Sequence, residues 1–258
     1  MSGLSVCFKV LPSKEEITKK AADVWIAAAT KAISRKDKFC VALSGGSTPR
    51  RLYEMLAKKE YADQVDWSKV YIFFGDERMV PRDHIDSNYR MAKESLLSHV
   101  PIPTANIFPM VSEKLDSEYS ENHIQNYVDN YYHCLNQYLD KTDAGVPCFD
   151  LIKLGIGTDG HTASLFPDTT ILNEEQLAVS KVYVEKLNSW RVSLTYPVLE
   201  AADKVLFLVC GKDKADIVRA IFNREQTAHN FPVSRIAYKH TACWYLDSAA
   251  ASQLDTDN

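Results

Sequence analysis

The stretch LGIGTDGHTASLFP, residues 154–167, holds the side chains with the clearest potential for acid–base chemistry. Asp159 and His161 occupy alternate positions there, and histidine is the most common general base in enzymes. The stretch directly follows the apolar run FDLIK, which predicts that both side chains emerge at the end of a buried strand. A lone histidine is usually structural, but its place in a glycine-rich loop after a strand favours a catalytic role.

Three glycines in the same stretch have the G-x-G-x-x-G spacing of dinucleotide-binding folds: Gly155, Gly157 and Gly160. Such a site requires a helix that continues beyond the third glycine, because the pyrophosphate binds at the helix N-terminus. Pro167 follows Gly160 by seven residues and limits any helix there to barely two turns. We therefore interpret the glycines as a loop that lets bare backbone approach a substrate and presents His161.

A second loop with chemical potential follows the apolar run FCVALS, residues 39–44. Its first residues combine backbone freedom with hydroxyl groups: Gly45, Gly46, Ser47 and Thr48. Pro49 suits the first turn of a helix, so a helix N-terminus with open N–H groups would lie at a strand end and favour phosphate. No G-K-[ST] follows, so the loop is not a P-loop. A plain helix start, capped by one of the hydroxyls, is the alternative.

A charged cluster follows the next apolar run, VYIFFG at residues 70–75, and consists of Asp76, Glu77 and Arg78. Residues 86–88, DSN, are typical of the start of another helix. The cluster fits a solvated loop as well as a site for a polar ligand held at the neighbouring strand end. The residues alone leave both interpretations open.

Two cations farther along the chain, Arg191 and Lys214, are candidates for binding an anion. Lys214, with Lys212, begins a predicted helix, where the helix dipole slightly disfavours a positive charge. This conflict points to a ligand anion, although an exposed lysine needs no ligand.

The hydrophobic pattern predicts the elements that must position these loops. Four apolar runs of strand length have the composition of buried parallel strands: residues 39–44, 70–75, 149–155 and 204–211. Stripes at helical spacing lie between or before them: Ile17, Ala21, Val24, Trp25 and Ala28, then Ile124, Tyr127, Val128, Tyr131 and Leu135. This alternation predicts an α/β fold, a doubly wound, mostly parallel sheet with helices on both faces. We expect one domain over residues 1–250 and a polar C-terminal tail over 251–258.

Composition excludes several classes of function. The chain has 258 residues, 46% of them hydrophobic and 25% charged, as in ordinary globular proteins. A net charge of -4 gives no basic field for nucleic acid, and no apolar run predicts a secretory signal or a membrane span. The six cysteines are dispersed and form no C-x-x-C pair, so we expect reduced thiols in the cytoplasm. No cluster of residues has the spacing of metal ligands, and we expect neither a metal nor a cofactor.

Four segments together resemble one family, the 6-phosphogluconolactonases, within the superfamily that includes glucosamine-6-phosphate deaminases/isomerases. They are LSGGSTPRRLYEML, FFGDERMVPRDHIDSNYRM, FDLIKLGIGTDGHTASLFPD and WRVSLTYPVLEAADKVLFLVCGKDKA. The resemblance extends over about residues 10–250, and four motifs in matching order are more specific than any one alone. It implies an α/β sheet and hydrolysis of 6-phospho-D-glucono-1,5-lactone to 6-phospho-D-gluconate in the oxidative pentose phosphate pathway.

The resemblance also implies roles for individual residues. The phosphate of the substrate would be held by one set: Gly45, Gly46, Ser47, Thr48, Arg191 and Lys214. A second set would line the lactone end: Asp76, Arg78, Asp159 and His161. His161 would take a proton from the attacking water and return one to the ring oxygen, with Asp159 or Asp76 orienting it. Arg78 would contact the oxyanion or sugar oxygens.

The deaminase branch resembles D-G-H-x-x-F-N-E in this loop, and its final glutamate assists ring opening. The corresponding residue here is Phe166, which cannot transfer a proton, and DER stands where that branch has D-E-Y. A non-catalytic sugar-phosphate sensor, the other alternative, would need the phosphate loop but not both Asp159 and His161. With no identifiable interface in the sequence, we expect a monomer.

Overall fold

The four predicted strands lie side by side in the computed structural model, which describes residues 7–112, 115 and 120–254. The strands are β1 (Cys7–Leu11), β2 (Phe39–Leu43), β3 (Val70–Phe74), β4 (Asp76–Arg78), β5 (Asp140–Lys141), β6 (Pro147–Cys148), β7 (Leu151–Leu154), β8 (Val179–Val184), β9 (Ser189–Leu194), β10 (Val205–Val209) and β11 (Ala242–Asp247). The helices are α1 (Lys14–Lys36), α2 (Ser47–Leu56), α3 (Lys59–Ala62), α4 (Asn88–Ala92), α5 (Glu121–Tyr138), α6 (Tyr196–Ala201), α7 (Ala215–Phe222) and α8 (Ser234–Ala237).

The central sheet has six parallel strands in the order β1-β11-β10-β7-β2-β3. From β2 the chain goes outward to β3 on one side, and it returns to β7 on the other side. Between β2 and β7 the strand order therefore reverses, and α/β sheets bind their ligands at the carboxyl ends of the strands beside such a point. Both glycine-rich loops, 44–48 and 155–161, start at this edge.

Helices cover both faces of the sheet, as predicted. Phe39 and Cys40 are adjacent in β2, so their side chains point to opposite faces. The Phe39 ring packs edge-on against Trp25 of α1 at 5.6 Å, whereas the Cys40 thiol reaches the carbonyl of Tyr138, the last residue of α5. Helices α1 and α5 are therefore on opposite sides, and the prediction of a single-domain, doubly wound α/β fold is confirmed.

The small antiparallel sheet β4-β9-β8 is a feature that the hydrophobic pattern did not predict. Strand β4 begins at Asp76, directly after β3 and Gly75, and pairs with β9 from Asp76 opposite Ser193 to Arg78 opposite Arg191. The charged cluster therefore lies in a strand and not in a solvated loop. The sequence did not predict this strand, because three charged residues have low strand propensity and the partner strand β9 is distant along the chain. The sheet stands at the carboxyl edge of the parallel strands.

The C-terminal tail over residues 251–258 was predicted to be polar. Residues 1–6 and 255–258 lie outside the described residues. Within the predicted tail, Ala251 is buried and Leu254 packs against the core. Among the helices that the structure describes, none is both long and apolar enough to cross a membrane.

Candidate active site

His161 and Asp159 form a bonded pair in the loop after β7. The Nδ1 atom of His161 lies 2.6 Å from Oδ1 of Asp159, and the backbone N–H of His161 donates to the same oxygen at 3.2 Å. The pair rests against Gly157, where a Cβ would stand 2.0 Å from Nδ1 and 2.5 Å from Oδ1. Only a residue without a side chain fits there, so the glycine allows the imidazole to lie against the backbone.

The surroundings of His161 favour its neutral form. Burial lowers the pKa of His161 and Lys186 adds to this effect, while the carboxylates of Asp159 and Asp76 oppose it; the net pKa is below the ordinary value. Burial alone would raise the pKa of Asp159, but hydrogen bonds from Lys186 and His161 hold it well below its usual range. A neutral imidazole beside a fixed carboxylate has the properties of a general base near pH 7.

Lys186 is a third member of this cluster, and the sequence did not predict its role. It lies in a helical turn between β8 and β9, pairs with Oδ2 of Asp159, and its Nζ stands 4.7 Å above the ring of Phe166. That ring in turn stacks on the imidazole of His161, with centroids 4.1 Å apart. No local signal marks Lys186, since its role depends on a hairpin that folds back over a distant loop.

Asp76 is buried, and polar side chains hold its carboxylate. The Ser164 hydroxyl donates to Oδ2 at 2.6 Å, and the Asn88 amide donates to the backbone oxygen at 2.8 Å and to Oδ1 at 3.3 Å. Asp159, and not Asp76, therefore carries the hydrogen bond to the imidazole. Ser164 lies within the motif DGHTAS, but the sequence contained no sign that it would reach Asp76.

Glu77 does not belong to the site, although it lies between two residues that do. Its buried carboxylate accepts from the N–H groups of Arg78, Asn88 and Tyr89 at 2.8–2.9 Å and from the hydroxyl of Ser87 at 3.1 Å. Burial raises its pKa despite these donors. Glu77 thus anchors the start of α4, the helix predicted near residues 86–88.

Arg78 and Arg191 face each other across the β4–β9 pair, where they are register partners. In both, the Nε atom is buried without a hydrogen-bond partner, and among the described residues neither forms an ion pair. Burial lowers the pKa of Arg191, and the charge of Arg78 lowers it further. Arg78 donates through Nη1 to the carbonyl of Asp86 at 2.5 Å. Two adjacent guanidinium groups with free donors form a site for an oxyanion.

One cavity of about 380 Å³ joins the two regions. Its lining includes five of the predicted residues: Asp76, Arg78, Asp159, His161 and Arg191. The lining also contains Ser164, Phe166 and Lys186. Residues more than a hundred positions apart along the chain therefore meet around one space large enough for a sugar-sized ligand.

The loop Gly45–Thr48 and Lys214 do not line this cavity; they lie at the neighbouring strand ends. Helix α2 begins at Ser47 after Gly46, whose φ is 107°, and no side chain caps it, so the capping alternative is wrong. Asn88 joins the loop to Asp76, since a Cβ on Gly45 would stand 1.9 Å from the Asn88 amide oxygen. Lys214 ends a helical turn after β10 and lies 3.3 Å from Asp213.

The loop from Gly155 to residue 169 contains no helix, which confirms that its glycines are not a dinucleotide fingerprint. Within the described part of the chain, no group of three or more His, Cys, Asp or Glu side chains is arranged to hold a metal ion.

Comparisons with known proteins agree with this geometry. A family model described as glucosamine-6-phosphate isomerases/6-phosphogluconolactonase matches residues 12–244. A 6-phosphogluconolactonase of Synechocystis sp. is 37% identical over 246 residues, which cover 95% of this chain and 97% of that protein. One of Haemophilus influenzae is 37% identical over 217 residues, 83% of this chain and 87% of that protein. The solved 6-phosphogluconolactonase of Trypanosoma brucei, 27% identical, superposes with a TM-score of 0.87 over 97% of this chain and 99% of that one.

Proposed function

Because the chain belongs to the family of glucosamine-6-phosphate isomerases and 6-phosphogluconolactonases, we propose that it hydrolyses 6-phospho-D-glucono-1,5-lactone with His161 as general base. It is a hydrolase of the 6-phosphogluconolactonase class. The product is 6-phospho-D-gluconate, and the reaction belongs to the oxidative pentose phosphate pathway. The observation that carries the proposal is the His161–Asp159 pair, 2.6 Å apart, in one cavity with two arginines that form no ion pair within the described part of the chain.

Proton transfer follows from the tautomer that Asp159 selects. The Asp159 carboxylate accepts a hydrogen bond from the Nδ1–H of His161. Nε2 of the neutral imidazole therefore carries no hydrogen and can accept a proton. Nε2 removes a proton from water as the water attacks the lactone carbonyl. The imidazolium then returns a proton to the ring oxygen as the C–O bond breaks. Asp159 stabilises the transient positive charge, and Lys186 keeps that carboxylate ionised and in place.

Charge on the substrate is met by the cations of the site. We assign Arg78 to the oxyanion that forms on the carbonyl or to sugar oxygens, since its buried Nε is an unused donor. The phosphate is assigned to Gly45, Gly46, Ser47 and Thr48 with Arg191 and Lys214. Support comes from the uncapped start of α2, whose open N–H groups and dipole favour an anion.

Phe166 supports hydrolysis over deamination. It occupies the position at which the deaminase pattern has a glutamate, and its ring stacks on His161 at 4.1 Å between centroids. An apolar ring at that place holds the imidazole but cannot pass a proton to an opening sugar ring.

We place the enzyme in the cytoplasm as a monomer without a cofactor. Support comes from the thiols of Cys40, Cys134, Cys148 and Cys210, which are free of disulfides.

A coupled assay tests the function. Freshly generated lactone is incubated with the purified chain, and 6-phosphogluconate is measured through its dehydrogenase, with spontaneous hydrolysis subtracted. We expect a rate far above the spontaneous one and no release of ammonia from glucosamine-6-phosphate. Ammonia release without faster lactone hydrolysis would identify a deaminase, and binding of sugar phosphates without either reaction would identify a sensor.

A further inference from the structure

Lys153 is a fully buried lysine that the mechanism above does not use. It lies near the end of β7, opposite Leu206 of β10, and its exposed fraction is 0%. Its Nζ atom donates to the carbonyl of Leu154 at 2.7 Å and to the Ser44 hydroxyl at 3.5 Å. Among the described residues no carboxylate forms an ion pair with it. A buried ammonium without a counter-charge is costly, so this position calls for an explanation.

The sheet register places Lys153 directly below the phosphate loop. Val41 pairs with Leu151, so Leu151 and Lys153 share the face of Phe39, which α1 covers. Helix α2 packs on α1 over the same face, and its Tyr53 bonds both backbone groups of Ser44. Ser44 immediately precedes Gly45 and Gly46. The amine of Lys153 therefore contacts the residue on which the loop begins.

Among the described residues, no side chain that acts on Lys153 carries a negative charge near pH 7. The Cys210 thiol acts on it, but burial raises the pKa of that thiol to about 11, with Asp247 adding to the effect. Tyr53 is likewise neutral, because burial raises its pKa. Asp247 accepts from the N–H groups of Gly211 and Ala250, and Lys14, near Cys210, is a cation. Burial lowers the pKa of Lys153 itself to about 7.

The described surroundings of Lys153 thus contain a second positive feature, the N-terminus of α2, and no carboxylate paired with the amine. The Cys210 thiol interacts with the hydroxyl of Thr48, in the first turn of α2. Lys153 is therefore linked to the start of this helix indirectly, through its hydrogen bond to Ser44 and through its electrostatic interaction with Cys210. A helix N-terminus and an ammonium repel each other unless an anion lies between or above them. A phosphate dianion is the ligand that satisfies both.

We propose that Lys153 is a proton-coupled positioning residue of the phosphate site, neutral while the loop is empty and protonated from solvent when a phosphate dianion binds to Gly45–Thr48. The inference rests on the phosphate site proposed above. The amine gains one proton per ligand, and no bond of the substrate is made or broken. In the bound state the ammonium donates to Ser44 and stabilises the loop around the dianion. Phosphate affinity then falls as pH rises above about 7, because each binding event must first recruit a proton.

Calorimetry of product binding tests the proposal. 6-Phosphogluconate is titrated into the enzyme at pH 6 and pH 8 in buffers of differing ionisation enthalpy, which gives the protons taken up per ligand. At pH 8 the ligand is a dianion and Lys153 is mostly neutral, so we expect an uptake of about half a proton per ligand, which is what about one pKa unit of coupling gives. At pH 6 Lys153 already carries its proton, and the uptake disappears. Wild-type enzyme that takes up no proton at pH 8 overturns the proposal without any variant.

A substitution identifies the group that titrates. Lys153→Met keeps the length and removes the charge, and buried ionic groups are often replaced by apolar ones without loss of stability. We expect this variant to lose the uptake at pH 8 and to bind product about tenfold more weakly at pH 7, the equivalent of about one pKa unit of coupling. Its KM should no longer rise between pH 7 and 8. Lys59→Met, at an 88% exposed lysine, is the control and should match the wild type.

The two proposals fail separately. If Lys153→Met still takes up a proton at wild-type affinity while the lactone is hydrolysed normally, Lys153 has no such role and the enzyme function stands. If the wild type hydrolyses no lactone, the function itself is wrong.

Discussion

The two ends of the active-site cavity differ in how their charges are balanced. At the His161 end the charges are paired: Asp159 bonds both His161 and Lys186. At the other end Arg78 and Arg191 lie side by side, each with a buried Nε that has no hydrogen-bond partner among the residues that the structure describes. A saturated network holds its own side chains in one arrangement, whereas unsatisfied buried donors are retained at a cost to stability.

This difference separates groups that are oriented by the protein from groups that await a ligand. The imidazole needs a fixed tautomer and direction, and internal partners provide both. The guanidinium groups need an external anion, and an internal carboxylate would compete with it. We expect substitutions at the first end to reduce kcat and substitution of Arg191 at the second end to raise KM. Arg78, which we assign to the oxyanion, should also affect kcat.

The largest effect is expected for His161→Asn, which removes the base and keeps a polar side chain of similar reach. Its kcat should fall by about 10²–10⁴, while KM stays near the wild-type value because the phosphate binds elsewhere. Steady-state kinetics with freshly generated lactone measure both. His99→Asn, at an exposed histidine, is the control. Near-wild-type turnover of His161→Asn would show that His161 is not the general base.

Gly157→Ala tests whether the orientation of the imidazole matters apart from its chemistry. The new Cβ would stand 2.0 Å from Nδ1 of His161, so the ring must move. A displacement of about 1 Å lowers kcat by about 10². Gly155→Ala, where a Cβ meets nothing within 4 Å, is the matched control in the same loop and should keep its activity. Equal kinetics of the two variants would contradict a preorganised pair.

Arg191→Ala tests the unpaired end. Loss of one charge-assisted contact to phosphate should raise KM by about 10–10²-fold and change kcat less. Arg35→Ala, an arginine paired with Asp203, is the control. If Arg191→Ala lowered kcat at unchanged KM, the arginine would act on the reacting end, and the division of the cavity would be wrong.

Lys186→Met is expected to give the smallest effect, a shift in the pH profile. The Lys186 cation disfavours the protonated imidazole, so its removal raises the pKa of His161. The acid limb of kcat/KM, which falls as His161 becomes protonated, should move to higher pH by less than about one unit, since the pair is partly solvated. Lys181→Met, at a lysine paired with Glu121, should leave the limb in place. A limb that moves to lower pH would contradict the assignment.

The parallel sheet was predictable because its strands are buried on both faces. The runs at 39–44 and 70–75 became β2 and β3 within one residue at each end. A strand that is buried on both faces needs apolar residues at nearly every position, and such a continuous run is visible in a short stretch of sequence. Strand β1 was missed because its exposed Phe8 and Val10 break that pattern, whereas β11 was missed although its run ACWYLD is largely apolar and buried.

The sequence by itself determined which loops would share an edge. Parallel strands end on the same side, so the loops after β2, β3 and β7 had to lie together, with Asp159 and His161 on one of them. The spacing of Pro167 was also enough to exclude a dinucleotide helix, since proline ends helices locally.

Only the tertiary structure decided which side chains meet within that edge. The contact of Lys186 with Asp159, the pairing of Arg78 with Arg191 and the burial of Lys153 all join residues from separate elements. Charge and burial at such positions depend on register and on the packing of remote segments, which leave no periodic trace in the local sequence. The partners of each charge, and therefore its pKa, exist only in the folded chain.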